Sequence, residues 1–216
     1  MTTKLHVDSL IFDMDGTLWD AVDSYVKIWN TSLAEFGINN RNVTRDELLS
    51  LMGSYLDDIL ATLVPDAAQR PLLLQRVMDN ETSMMPLLGG KLYPAVKKLI
   101  PALAAQYKLF MVSNCGATGL ENFVDYNGLR PYFTDLLSHG STGCSKADNI
   151  RTLINRYNLE RPAYIGDTRS DALSSRDAGV PFIWAKYGFG NVDNPDAVIA
   201  SFSQLPEVIE PLNNKR

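Results

Sequence analysis

Short apolar runs alternate with segments of helical periodicity through much of this chain, and that alternation restricts the folds open to it. Strands are predicted, in chain order, at residues 10–12, 109–112, 136–137, 163–165 and 181–184. Helical spacing is found at residues 93–107, 120–126, 146–157 and 170–178. Strands that alternate with helices favour a parallel sheet covered on both faces. We therefore predict an α/β fold with a three-layer, doubly wound parallel sheet.

The pattern changes between residue 20 and about residue 84, where nothing is typical of a strand. Apolar residues follow helical spacing from Val22 to Phe36, and Gly37 suits the end of that helix. Thr44 and Glu47 form the pattern of a capping box, and two more helices are predicted at residues 56–63 and 72–84. About sixty residues are too many for one crossover. We therefore predict an inserted α-helical cap domain at residues 19–86 and a core domain at residues 1–18 and 87–216, the alternative being helices that simply cover one face of the sheet.

Composition excludes several classes of partner. The net charge of −5 argues against nucleic acid, because phosphate backbones need a basic surface. No apolar run approaches the length of a membrane span. The two cysteines, Cys115 and Cys144, provide no disulfide framework. We expect a reduced, cytoplasmic protein that is a monomer or weak dimer and binds neither nucleic acid nor membrane.

The most informative motif directly follows the first predicted strand. Residues 13–18 read Asp-Met-Asp-Gly-Thr-Leu, and the glycine marks a turn at the end of the strand. Two carboxylates two residues apart suit metal-assisted attack on a phosphate, because one of them can attack and ligate a metal while the other handles protons.

Three further groups follow later strands. Ser113 and Asn114 come after the second strand, Lys146 opens a helix, and Asp167 and Asp171 follow the strand at residues 163–165. Each has an ordinary explanation by itself: a helix cap, a solvated surface lysine, and an acidic helix N-terminus. Together they are better explained as one site, because ligands bind at the carboxyl ends of strands in open parallel sheets.

These four pieces resemble the four motifs of the haloacid dehalogenase-like superfamily, in its phosphoglycolate phosphatase and β-phosphoglucomutase-like branch. The resemblance spans nearly the whole chain and implies a Rossmann-like core with strand order 3-2-1-4-5 and a helical cap. The chain departs from the family pattern at Ala147, since no proline follows Lys146, and at Trp19 in the opening motif.

The resemblance also implies a reaction. Asp13 attacks phosphorus to form an aspartyl-phosphate, and Asp15 first protonates the leaving group and then activates water. Mg²⁺ is the expected cofactor, held by Asp13, Asp15 (through its backbone carbonyl), Asp167 and Asp171. The expected phosphate-binding residues are Thr17, Ser113, Asn114 and Lys146. Asp15 argues against dehalogenation, because dehalogenases of this superfamily lack an aspartate at its place.

The predicted function is therefore a Mg²⁺-dependent phosphatase for a small phosphorylated metabolite such as phosphoglycolate or a sugar phosphate. Two alternatives remain: a phosphomutase that acts on sugar phosphates, and a non-catalytic binding or regulatory protein on the same scaffold. Specificity is expected in the helical insertion, at residues 19–25 and 51–56. Trp19 is equally consistent with a substrate contact and with packing.

Other conspicuous residues have ordinary interpretations. His6 and His139 are predicted to be structural, and Cys115 to be a small buried filler. Tyr25 and Trp29 lie on a helical stripe and are predicted to belong to the core. The glycine-containing loop at residues 187–191 is only weak support for a phosphate cradle.

Overall fold

The computed structural model describes residues 4–211 except 65, 67 and 69. Among these residues the strands are β1 (Leu5–Val7), β2 (Ser9–Phe12), β3 (Trp19–Asp20), β4 (Lys91–Leu92), β5 (Lys108–Ser113), β6 (Asp135–Ser138), β7 (Pro162–Gly166), β8 (Phe182–Ala185), β9 (Ala197–Ile199) and β10 (Ile209–Pro211). The helices are α1 (Val22–Glu35), α2 (Arg45–Leu49), α3 (Leu56–Leu63), α4 (Arg70–Leu88), α5 (Val96–Ala104), α6 (Gly119–Asn127), α7 (His139–Thr142), α8 (Lys146–Tyr157), α9 (Arg169–Asp177) and α10 (Leu205–Val208).

A parallel sheet with strand order β6-β5-β2-β7-β8-β9 forms the centre of the fold. Counted from β2, its first five strands have the predicted order 3-2-1-4-5, which is confirmed. β9 adds a sixth strand that the sequence did not predict. Its three residues are too few to show a period, so only pairing with β8 identifies it.

Helices cover both faces of this sheet, as predicted. Alternate residues along each strand point to opposite faces. Leu10 and Phe12 of β2 therefore pack into one hydrophobic cluster, with residues of α5 and α6, whereas Ile11 packs into another with residues of α8 and α9. The three-layer α/β architecture is confirmed.

The segment between β3 and β4 is helical and has a hydrophobic cluster of its own, made by residues of α1 to α4 such as Trp29, Leu33, Leu60 and Val77. A two-stranded antiparallel pairing of β3 with β4 joins the two ends of this segment. We call residues 22–88 the helical segment. The separate cluster supports the predicted cap, while the domain limits themselves stay a prediction, and those at residues 1 and 216 lie outside the described residues.

Two predicted helix limits need correction. The helix predicted from residue 93 begins at Val96, because Ala95 adopts a left-handed conformation with φ of 71° that a helix does not continue through. Pro101 does not split that helix. α4 is longer than predicted and runs through residues 87 and 88, which were predicted to be a linker.

None of the helices within the described ranges combines the length and the apolar character that crossing a membrane requires.

Candidate active site

The carboxyl ends of three adjacent strands bring the predicted site together. Asp13 directly follows β2, Ser113 ends β5, and Asp167 directly follows β7. β2 pairs with both of its neighbours, and the Asp13 N–H extends the pairing by donating to the Ile165 carbonyl at 2.9 Å. The sequence expectation that these residues lie side by side is confirmed.

Three buried carboxylates gather at this edge. Oxygen atoms of Asp13, Asp167 and Asp171 lie within 4.8 Å of one another. Burial raises the pKa of Asp167 well above its ordinary value, and the Asp171 and Asp13 carboxylates raise it further. Such a group is costly to keep ionised without a cation.

Lys146 supplies one positive charge to this acidic group. It is the first residue of α8 and is 2% exposed, so the surface-lysine alternative is wrong. Its Nζ lies 3.1 Å from Asp13 Oδ1 and 2.5 Å from Asp171 Oδ1. Burial alone would lower the pKa of Lys146, but the two carboxylates outweigh it and hold the ammonium charged.

Asp171 has its oxygens fully engaged by the protein. Oδ1 accepts from Lys146 and, at 3.2 Å, from the Tyr164 hydroxyl. Oδ2 accepts from the Thr168 hydroxyl and backbone N–H, in the capping box that opens α9. Burial raises the pKa of Asp171, but Lys146 and these hydrogen bonds outweigh it and lower the pKa below its usual value. Its geometry suits a residue that positions Lys146.

Each carboxylate oxygen of Asp167 accepts one hydrogen bond and so keeps a lone pair that could ligate a metal ion. Oδ1 accepts from the Thr17 hydroxyl at 3.2 Å, and Oδ2 accepts from the Phe189 N–H at 2.7 Å. Thr17 is fully buried behind Asp167 and is not among the residues that line the cavity described below. Residues 187–191 therefore support Asp167, an arrangement that the sequence did not reveal.

Two glycines allow the chain to close around Asp167. A Cβ on Gly16, where φ is +78°, would lie 2.1 Å from Asp167 Oδ2. A Cβ on Gly188 would lie 2.3 Å from the Cβ of the same aspartate. Both positions exclude a side chain, because real atoms do not approach so closely.

Asp15 lies apart from the three carboxylates. Its Oδ1 accepts from Trp19 Nε1 at 2.9 Å, and its Oδ2 accepts from the Tyr25 hydroxyl at 3.3 Å. Burial, together with the Asp13 carboxylate, raises the pKa of Asp15 to about 8. Burial and Asp171 raise the pKa of Asp13 to about 6, against the opposing effect of Lys146. The two aspartates of the motif thus have different environments.

Tyr25 packs against the hydrophobic clusters as predicted, but its hydroxyl also reaches Asp15 and the residue lines the cavity. Trp29 is buried as predicted, but it also lines the cavity. The helical spacing of the apolar residues did not predict that Tyr25 and Trp29 line the cavity, because a residue at the edge of an apolar helix face can pack against either a core or a cavity.

A cavity of about 70 Å³ lies between the sheet edge and the helical segment. Asp13, Asp15, Ser113 and Lys146 line it on the side of the sheet. The helical segment contributes an apolar wall made by Trp29, Leu48, Met52, Leu56, Ile59 and Met85. Residues 52, 53, 54 and 56 line it, which agrees with the expectation that residues 51–56 face the site.

Asn114 connects the sheet edge to the helical segment. Its Nδ2 donates to the Gly53 carbonyl at 2.8 Å, and Gly53 has a φ of +85°. Asn114 Oδ1 is buried and has no hydrogen-bond partner among the described residues. A donor on a bound molecule would satisfy it.

The histidines lie outside this cavity. His6 lies 3.4 Å from Glu210, and His139 Nδ1 lies 2.9 Å from the Cys144 carbonyl oxygen. Cys115 is half-buried and lines the cavity, where burial and Asp15 raise its thiol pKa. A thiol held neutral in this way is a poor nucleophile.

Comparisons with known proteins agree with this geometry. The sequence matches the family described as haloacid dehalogenase-like hydrolase over residues 10–185. A phosphoglycolate phosphatase from Agrobacterium fabrum is 28% identical in an alignment that covers 100% of this chain and 98% of that protein. One from Synechococcus elongatus is 27% identical, with 95% and 99% covered. The crystal structure of a predicted phosphoglycolate phosphatase from Haemophilus somnus superposes with a TM-score of 0.82 at 19% identity, covering 96% of this chain and 98% of that one.

Proposed function

The chain belongs to the haloacid dehalogenase-like hydrolase family, and we propose from its site that it is a Mg²⁺-dependent phosphatase of a small phosphate monoester. The observation that carries the proposal is the separation of two aspartates at one cavity. Asp13 lies beside the Lys146 ammonium, whereas Asp15 is held by Trp19 and Tyr25. The names of the phosphoglycolate phosphatases that resemble this chain support the same reaction class.

The two aspartates suit successive steps. Asp13 attacks phosphorus, so that a bond forms between its carboxylate oxygen and phosphorus while the bond from phosphorus to the leaving oxygen breaks. Asp15 gives that oxygen a proton and later takes one from the water that attacks the aspartyl-phosphate, releasing phosphate and restoring Asp13. A pKa of about 6 for Asp13 and about 8 for Asp15 fits a carboxylate nucleophile and a protonated acid near neutral pH.

Donors near Asp13 would receive the phosphoryl oxygens. Lys146 supplies a charge that offsets the repulsion between a carboxylate nucleophile and a phosphate dianion. Ser113 and Asn114 line the same side of the cavity. Thr17 would act at this site only by turning its hydroxyl from Asp167.

The charge of the site fits a divalent cation. Three ionised carboxylates and one ammonium sum to −2, which one Mg²⁺ would neutralise. Asp13 and Asp167 would hold the ion, with the backbone carbonyl of Asp15 as the resemblance implies, because hard oxygen ligands suit Mg²⁺. Asp171 would act through Lys146, since its own oxygens are engaged. The bound ion would lower the charge repulsion at phosphorus.

The helical segment would act as the cap over this site, with residues 19–86 as its proposed limits. It provides the apolar wall of the cavity and the Gly53 carbonyl that Asn114 holds. The leaving group therefore meets mainly residues of this segment.

A phosphate-release assay tests the proposal. Small monoesters are incubated with the protein and Mg²⁺, and free phosphate and alcohol are measured together. We expect equal amounts of the two products and no turnover after the metal is chelated. If none of the esters tested releases phosphate, the proposal is contradicted. Conversion of a sugar 1-phosphate to its isomer without phosphate release would identify a phosphomutase instead.

The buried acids also predict a pH-dependent stability without metal. The folded-state pKa values of Asp13 and Asp15, about 6 and about 8, exceed the ordinary value of 3.8. The folded protein therefore retains protons that the unfolded chain releases near pH 4. The stability that this proton binding gives is lost as the pH rises through the folded-state pKa values. From about pH 6 to about pH 8.5 we expect Asp13 and Asp15 to lower the free energy of unfolding by about 2–4 kcal/mol, or Tm by roughly 5–10 °C, and the raised pKa of Asp167 adds to this loss. Thermal unfolding in a chelator measures it.

Mg²⁺ should reverse this loss, because the ion competes with protons for the same carboxylates. The expected increase in Tm is larger at the higher pH and is absent from Asp167→Asn. Asn fits this position, since its amide can accept from Phe189 N–H and the Thr17 hydroxyl can reverse its role. An increase in Tm with Mg²⁺ that is as large in Asp167→Asn as in the wild type would contradict the assignment of Asp167 as a metal ligand.

A further inference from the structure

The helical segment contributes one charged residue to the cavity among its described residues, and that residue is Glu81 of α4. Glu81 is half-buried, and its carboxylate accepts no hydrogen bond and forms no ion pair with a described residue. A carboxylate that borders an apolar wall loses hydration without compensation unless a ligand supplies a partner. Glu81 is therefore a candidate contact for the part of the substrate that leaves.

The position of Glu81 is set by the contact of α4 with the loop after β5. The hydroxyl of the next residue, Thr82, lies 3.3 Å from the Thr118 hydroxyl. A Cβ built on Gly116 would lie only 3.2 Å from Glu81 Oε2, so the missing side chain leaves room for the carboxylate. The carboxylate thus lies over the loop after β5, the loop that also contains Cys115.

Positive charge is scarce elsewhere in the cavity. Lys146 is the one cation among the described residues that line it, and Lys146 is already held by Asp13 and Asp171. A leaving group with its own carboxylate, such as that of phosphoglycolate, would therefore find no cation at the helical wall and would face Glu81. Like charges at such a site cost affinity and catalysis.

We propose that the leaving alcohol carries an ammonium group that pairs with Glu81, so that the substrate is a short aminoalkyl phosphate ester. This inference rests on the phosphatase function proposed above. The cavity of about 70 Å³ limits the length of the ester. Tyr25 and Trp29 line the same cavity, and aromatic rings attract ammonium groups.

The ionisation of Glu81 agrees with this pairing. Burial raises the pKa of the carboxyl group to about 7. A neighbouring ammonium favours the charged form of a carboxylate and so lowers its pKa. Binding of an ammonium would therefore keep Glu81 ionised at neutral pH.

Four esters of similar length separate the chemistries: 2-aminoethyl phosphate, phosphoglycolate, 2-hydroxyethyl phosphate and propyl phosphate. They differ at the far end of the leaving group, which is an ammonium, a carboxylate, a hydroxyl or a methyl group. Phosphate release with Mg²⁺ gives kcat/KM for each. We expect the aminoethyl ester to exceed phosphoglycolate by about 100-fold, because it gains an ion pair where phosphoglycolate meets a like charge.

Variants of Glu81 test the contact itself. Glu81→Gln should lower the ratio of kcat/KM for 2-aminoethyl phosphate to that for propyl phosphate by about 10- to 100-fold. The ratio is used because Glu81 also raises the pKa of Asp15, which affects every substrate. Glu81→Lys should reverse the preference towards phosphoglycolate. Asp79→Asn is the matched control, since it removes one exposed negative charge from the same helix.

The outcomes separate this inference from the phosphatase proposal. Phosphate release that favours phosphoglycolate, the hydroxyl or the propyl ester overturns the ammonium pairing and leaves the phosphatase intact. An unchanged substrate ratio in Glu81→Gln overturns the assignment to Glu81. Absence of phosphate release from all four esters and from p-nitrophenyl phosphate overturns both. The wild-type series decides the substrate class even where a variant fails to fold.

Discussion

Asp13→Asn is expected to lower kcat by about 10⁴-fold or more, because it removes the proposed nucleophile. The amide oxygen can still accept from Lys146 at the position where Asp13 Oδ1 now lies 3.1 Å away. The change also removes one of three buried carboxylates that repel one another. We therefore expect an intact fold and a Tm at least equal to that of the wild type. Phosphate release and thermal unfolding measure the two effects.

Asp193→Asn is the matched control for this variant. Asp193 is exposed and does not line the cavity, so its substitution removes one negative charge, as Asp13→Asn does, but at a distance from the site. Its kcat should equal that of the wild type. Turnover in Asp13→Asn within tenfold of the wild-type value, with the fold retained, would mean that another group attacks phosphorus.

Asp15→Asn is expected to slow the hydrolysis of alkyl phosphates by about 10²–10⁴-fold, the usual contribution of general acid–base catalysis. The asparagine can accept from Trp19 Nε1 and donate to the Tyr25 oxygen, so the local hydrogen bonds survive. The loss should depend on the leaving group. An alkoxide needs a proton when it leaves, whereas p-nitrophenolate does not.

A burst experiment separates the two tasks of Asp15. With p-nitrophenyl phosphate, Asp15→Asn should release about one equivalent of p-nitrophenol quickly and then turn over slowly, because water attack on the aspartyl-phosphate still lacks its base. Equal losses for alkyl and nitrophenyl esters, without a burst, would contradict the proton-transfer role.

Much of the fold follows from local sequence. The strands at residues 10–12, 109–112 and 163–165 were found from apolar runs, and α8 was predicted to the residue, because a buried strand or helix has a hydrophobic period that its own residues show. β1, β3, β4, β9 and β10 were missed. Each contains only two or three residues, too few to show a hydrophobic period, so only their pairing in the folded chain identifies them.

The position of the site was also predictable, since strand ends in a parallel sheet meet at one edge. The direction of each side chain was not. Thr17 turns to Asp167, Asn114 turns to Gly53, and Asp171 turns to Lys146, and these partners are brought close only by the folded chain.

The sequence by itself determined five of the six strands of the central sheet, their order through the family resemblance, and the aspartates and lysine that meet at the edge of the sheet. Only the tertiary structure decided that Tyr25 holds Asp15 and that Glu81 lines the cavity beside its apolar wall. Glu81 lies in a polar stretch of α4, and its sequence neighbours resemble those of any solvated helix face. The physical reason is that periodicity reports which face of an element is buried, whereas the role of a charged group depends on what packs against it from elsewhere in the chain.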